Sequence, residues 1–198
     1  LLRWWQNYLQ ADPLRDLPAL HCPEYRLTAA FGGFRLVGQY DLLAIQPGER
    51  VVIVDWKTTH YHLTAAYLKR RIQSRLYPLL LVEAGAGLNC GQPIKPEQIE
   101  MIYWFAAHPS QPVHLPYGAD QYQIDRESLA SMIHEIHALP AGRFTLTANE
   151  AHCKYCTYRS LCARGVSAGA WDDSDAERDR GEDALINLDF DQIGEIAF

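Results

Sequence analysis

Two turn signals fix most of what residues 24–57 can become. Gly32-Gly33 separates two segments rich in aromatic and aliphatic residues, Glu24–Phe31 and Phe34–Ile45. Gln46-Pro47-Gly48-Glu49 then leads into the β-branched run Val51-Val52-Ile53-Val54. Paired glycines supply the backbone freedom of a tight hairpin, and short apolar runs between such turns read as strands. The sequence therefore predicts three antiparallel strands in a meander. Before them come an amphipathic helix around Arg3–Leu9 and a loop, Asp12–Pro23, with prolines at 13, 18 and 23. After them Thr64 caps a long helix ending at Gly85-Ala86-Gly87, with Pro78 expected to bend or break it. Ile99–Ala106 reads as a further strand, Asp120–Ile124 as another, and Asp125-Arg126-Glu127-Ser128 caps a helix running to Leu139. The mixture of strands and helices is that of an α/β domain.

The chain's 198 residues suit one domain with an appended module. No apolar run is long enough to span a membrane and no signal peptide opens the sequence, so a soluble, cytoplasmic protein is expected. The net charge of -6 is unevenly placed: residues 172–198 carry ten acidic side chains against Arg178 and Arg180, which leaves the rest at about +2. The bases cluster at Lys57, Lys69, Arg70, Arg71 and Arg75. Such a stripe can meet phosphates although the whole chain is acidic; as a helix face alone, Lys69–Arg71 needs no partner but water. Ser167–Glu182 reads as an acidic linker and Ala184–Phe198 as an apolar tail that docks back on the body. Because Leu1 lies inside a helical pattern, the chain is expected to be part of a longer one.

The chemistry concentrates at the strand ends. Asp41 closes Leu36-Val37-Gly38-Gln39-Tyr40-Asp41, and Asp55-Trp56-Lys57 closes the third strand. Side chains alternate along a strand, so Asp55 and Lys57 share a face and Trp56 points away. Two carboxylates and the Trp56 main-chain carbonyl make an oxygen set that suits Mg2+ or Mn2+, and a neighbouring ammonium can orient a nucleophile or balance charge on an attacked phosphate. Gln73 and Tyr77 are four residues apart on the following helix and so share a face. An Asp-x-Lys triplet alone recurs by chance and is often no more than a solvated strand end; the ordered set carries the reading.

That ordered set resembles the PD-(D/E)xK nuclease superfamily, in particular its RecB-like exonuclease branch. Gly38-Gln39-Tyr40-Asp41, Asp55-Trp56-Lys57-Thr58 and Gln73-Ser74-Arg75-Leu76-Tyr77 are similar to its three sequential motifs. The resemblance implies a restriction-endonuclease-like core over residues 1–150, with a central mixed sheet flanked by helices. It makes Asp41 and Asp55 metal ligands, Lys57 catalytic, and Gln73 and Tyr77 the positioners of a DNA backbone, with Arg70, Arg71 and Arg75 as further DNA contacts. The implied substrate is DNA, with single-stranded ends expected and a helicase partner possible in another chain. A repair or recombination role is expected; a CRISPR-adaptation nuclease and a non-catalytic binding module of the same fold are the alternatives.

Cys153, Cys156 and Cys162 have the spacing Cys-x2-Cys-x5-Cys in a chain with five cysteines, an odd count that argues against a disulfide framework. The spacing resembles the iron–sulfur motif of AddB-type and CRISPR-associated nucleases, which implies a small C-terminal cysteine lobe, residues 151–165, with a [4Fe–4S] cluster completed from upstream. Zinc with His152 or His108 is the other option. The family's upstream histidine and first cysteine have no match in residues 1–20; Cys22 and Cys90 read as ordinary thiols.

Overall fold

Both predicted turns form. In the computed structural model, which describes residues 2–140, 146–156, 158–162 and 164–167, Gly32 and Gly33 take φ of 58° and 84° between strands β1 (Leu20–Phe31) and β2 (Phe34–Gln46). Two successive positive φ angles match the twist of the flanking strands and cost glycine nothing. Gly48, at φ 80°, turns β2 into β3 (Arg50–Lys57). The sheet is completed by β4 (Ile99–Phe105) and β5 (Val113–Pro116), in the order β1-β2-β3-β4-β5. Every neighbouring pair is antiparallel except β3–β4, which is parallel, from Val51↔Ile99 to Lys57↔Phe105. A parallel pair needs a crossover, and the helices α2 (Ala65–Arg70) and α3 (Ile72–Ala84) supply it. This is the expected α/β architecture, a mixed sheet with an antiparallel meander flanked by helices.

Alternation along β3 and β4 gives the sheet two apolar faces. Leu43, Ile45, Ile53, Met101, Tyr103 and Phe105 pack on one side with Leu80 and Leu81 of α3. Leu42, Ala44, Val52, Val54 and Ile102 face the other way, against Leu14, Leu17 and Trp56. Helix α1 (Leu2–Ala11) lies at the end of that second face: Asn7 Nδ2 donates to Ala106 O at 2.7 Å, and the Tyr8 ring meets Trp56 and Trp104 edge-on. Helix α4 (Ala119–Ala138) closes the structure by packing Leu129, Met132 and Ile133 against Phe31 and Leu79. Gly38 lets α3 lie close, because a Cβ there would fall 2.8 Å from the buried Leu80 Cδ1 and 3.4 Å from the Tyr40 and Tyr77 rings, so that Leu80 would have to shift.

The structure departs from the sequence expectation in four places. β1 begins at Leu20, so the loop before it is shorter than Asp12–Pro23. The long helix breaks at Arg71 (φ -67°, ψ 142°) and not at Pro78, which lies inside α3. The reason is a side chain: Ser74 Oγ donates to Leu68 O at 2.5 Å and the Arg71 N–H to the same oxygen at 3.1 Å, so that carbonyl is satisfied without a continuous helix. Asp120–Ile124 is helical, the start of α4 behind an extended Gly118, because the spacing of Asp125, Leu129 and Met132 faces α3. The strand lies earlier, at 113–116, an edge strand where Pro116 costs no ladder bond. Of the expected acidic linker and tail, residues 166–198, all but 166 and 167 lie outside the described residues.

Candidate active site

Ladder pairing of β2 with β3 runs from Gln46↔Arg50 to Leu42↔Val54 and stops there. Beyond it the Trp56 N–H donates to Asp41 Oδ2, at 2.8 Å, in place of a β2 carbonyl. The two aspartates therefore sit at one end of the sheet on adjacent strands, close enough to repel. Burial raises the pKa of Asp41 first, and the charge of Asp55 raises it further; the Trp56 N–H and Lys57 pull the other way. In an extended strand the N–H and C=O of one residue point to the same side, so the Trp56 carbonyl shares the edge with Asp41.

Asp55 is 3% exposed. Its Oδ2 lies 2.7 Å from Lys57 Nζ, and Gln73 Nε2 donates to its Oδ1. Gln73 Oε1 in turn accepts from Lys57 Nζ at 3.4 Å, which closes a ring of three side chains from β3 and α3. One helical turn on, the Tyr77 hydroxyl donates to Gln39 O at 2.5 Å while Tyr40 OH donates to Tyr77 O at 2.8 Å. This reciprocal pair ties α3 to the strand just ahead of Asp41. Burial pushes the Tyr77 phenol up to about 12, so it remains a proton donor.

The donors fit a hard divalent cation. Asp55 Oδ2 is buried beside the lysine yet receives no well-directed hydrogen bond, and the charge of Asp55 bears on Asp41. Among the described residues no three histidine, cysteine or carboxylate side chains converge on one point. Two carboxylates and a main-chain oxygen could supply the protein's share of a coordination sphere for an ion that keeps several waters.

Of the expected basic contacts, Arg70 is exposed on α2, and Arg71 is half-buried with Nη1 donating to Tyr67 OH at 3.0 Å. Arg75 turns away from the site: its Nε meets the fully buried Asp125 of α4 at 2.8 Å. Sequence reasoning missed Glu24, whose charge adds to the repulsion at Asp41. Counting equal steps outward from the Gly32-Gly33 turn places Glu24 opposite Asp41 on β1 and could have found it.

The cysteines of the expected lobe do not assemble a cluster site among the described residues. Cys153 is buried and its Sγ accepts from Arg164 Nη1 at 3.8 Å; Cys156 is half-buried, as is Cys162 at the end of the short helix Arg159–Cys162. Neither candidate zinc histidine joins them. His108 Nε2 lies 3.0 Å from His60 O, and His152 lies 3.2 Å from Asn149 Nδ2. Cys22 is on β1 and Cys90 follows the turn after α3. The donor set therefore does not fit a four-thiolate cluster.

Residues 2–163 match the family model of the PD-(D/E)XK nuclease superfamily. A solved structure titled "Crystal structure of SSO0001" superposes with a TM-score of 0.44 and 15% identity, over 84% of this chain and 71% of that one. No curated protein matches the sequence. No helix among the described residues is long and apolar enough to cross a membrane.

Proposed function

The chain belongs to the PD-(D/E)XK nuclease superfamily, and from that premise we propose that it is a Mg2+- or Mn2+-dependent deoxyribonuclease of the RecB-like exonuclease kind. The observation that carries this reading is the buried Asp55 carboxylate, held by Lys57 and Gln73 with Asp41 drawn to the same strand end. Asp41, Asp55 and the Trp56 carbonyl would hold the cation, whose chemistry would be to polarise the scissile phosphate and lower the pKa of a bound water. Lys57 would orient that water and balance charge on the phosphate in the transition state. Gln73 fixes the rotamers of both Asp55 and Lys57, so it acts on the geometry of the pair. Tyr77 sets the register of Gln39–Asp41 against α3. Arg70, on the exposed side of α2, remains available to a DNA backbone. The mechanism takes no step through an iron–sulfur cluster.

The test is incubation with end-labelled single-stranded DNA in Mg2+, Mn2+ or EDTA, beside a Lys57→Ala control. Metal-dependent release of short products that the variant lacks supports the reading. Absence of cleavage with either metal on single- and double-stranded DNA would overturn it. A circular single strand sharpens the branch: resistance of the circle supports an exonuclease acting at ends, and a cut circle would move the reading to an endonuclease.

A further inference from the structure

Lys57 has a third neighbour besides Asp55 and Gln73. Its Nζ stands 5.4 Å from the centroid of the Tyr103 ring, on the adjacent parallel strand. Asp55 and Tyr103 are register partners, so the lysine, two residues on, leans back across that ring. Tyr103 is itself fully buried and cannot swing away. Its hydroxyl lies 2.7 Å from Ser74 Oγ. Ser74 has a single proton and gives it to Leu68 O, so Tyr103 must be the donor in the pair. The chain of bonds Tyr103 OH to Ser74 Oγ to Leu68 O ends at the break between α2 and α3. Ser74 follows Gln73 directly, so one latch fixes both the ring beneath the ammonium and the first turn of the helix that carries the carboxamide beside it.

We propose that Tyr103 is a positioning residue for Lys57, its ring face holding the ammonium between Asp55 and Gln73 and its hydroxyl locked by Ser74. The proposal rests on the nuclease reading for its catalytic consequence but not for its structural content. The negative face of an aromatic ring attracts a partly desolvated ammonium and confines it to the side where the ring lies. Burial and the neighbouring Asp55 carboxylate hold the Tyr103 phenol well above its ordinary value, so the latch proton stays in place at every working pH. Without the ring, Lys57 keeps its two oxygen partners but gains room to swing away from the attacked phosphate. Substrate binding should then be spared and turnover should suffer.

The experiment uses Tyr103→Phe, which keeps the ring, Tyr103→Leu, which removes it, and Ser74→Ala, which releases the latch. The chain has four lysines, so protein labelled with 13C at the lysine ε carbon gives a simple spectrum in which Lys57→Arg identifies the signal. The Lys57 signal is expected upfield from the ring current in wild type and in Tyr103→Phe, and displaced toward the other three in Tyr103→Leu. In the cleavage assay at saturating DNA, kcat should fall roughly tenfold in Tyr103→Leu and two- to threefold in Tyr103→Phe and Ser74→Ala, with KM unchanged. A Lys57 signal that Tyr103→Leu leaves in place, in protein that melts cooperatively, overturns the proposal whatever the assay shows. A moved signal in a protein that cleaves no DNA would leave the positioning intact and defeat the nuclease reading. A moved signal with unchanged kcat would overturn the catalytic consequence.

Discussion

Two buried aspartates flank α3, and their surroundings are nearly interchangeable on inspection. Asp55 is 3% exposed, with Lys57 at 2.7 Å; Asp125 is 0% exposed, with Arg75 at 2.8 Å. Each Oδ1 accepts from a glutamine, Gln73 in one case and Gln121 in the other. Each Oδ2 is buried without a directed hydrogen bond, and each has a tyrosine nearby whose pKa burial and the carboxylate push up, Tyr103 and Tyr117. Burial and ion pairing therefore do not mark a reactive site. The difference is a second carboxylate. Burial first and the charge of Asp55 second raise the pKa of Asp41, whereas Asp125 is matched by the Arg75 guanidinium. One cluster carries an electrostatic debt that a cation would settle. The other is a strut between α3 and α4.

Removing the cation-bearing side chain at the first cluster should give the largest effect. Lys57→Ala is expected to lower kcat by about 10³ while DNA and metal binding persist, because its contacts strengthen in the transition state. Single-turnover cleavage with saturating Mn2+ measures it, and equal losses in binding and cleavage would reduce Lys57 to a ground-state phosphate contact. The matching change at the second cluster should act on stability. Asp125→Ala strands the half-buried Arg75 and is expected to cost about 3–5 kcal/mol in chemical denaturation. Its rate per folded molecule should remain within severalfold of wild type. If Asp125→Ala abolished cleavage with little loss of stability, the strut assignment would fail and the two clusters would have to be treated as one machine.

Only one of these clusters could be read in the sequence. Asp55 and Lys57 are two apart on a strand, and Gln73 and Tyr77 are four apart on a helix, so local periodicity alone puts each pair on a face. The turn at Gln46–Glu49, with Gly48 at φ 80°, then brings Asp41 on β2 alongside the third strand. Arg75 and Asp125 are fifty residues apart and belong to no pattern; only the packing of α4 on α3 joins them. The break at Arg71 was hidden for a similar reason. It depends on the Ser74 hydroxyl reaching back to Leu68, while the visible proline at 78 is absorbed in the helix. β5 escaped because four residues ending in proline give too short an alternation to register. The cysteines show the opposite case: Cys153, Cys156 and Cys162 are regular in spacing, yet no group of three ligands that could hold a metal converges among the described residues.

The smallest expected effect tests the electrostatic distinction itself. Asp41 has a folded-state pKa raised above its ordinary 3.8, by burial first and by Asp55 second. Between those two values the folded protein holds more protons than the unfolded chain, so stability falls as pH rises through that window and is level above it. Asp41→Asn removes the titrating group, and its amide oxygen can still accept from the Trp56 N–H. In EDTA at neutral pH the variant should therefore melt slightly above wild type, and its stability should lose the downward contribution that Asp41 makes as pH rises above about 4. Adding Mn2+ should raise the melting temperature of wild type in proportion to site occupancy and leave the variant nearly unmoved. Asp125→Asn offers the contrast, because it weakens the hold on Arg75 and should destabilise in EDTA and in Mn2+ alike. Should Asp41→Asn destabilise the metal-free protein as Asp125→Asn does, Asp41 would be a strut too, and the crowding of two carboxylates would no longer distinguish the site.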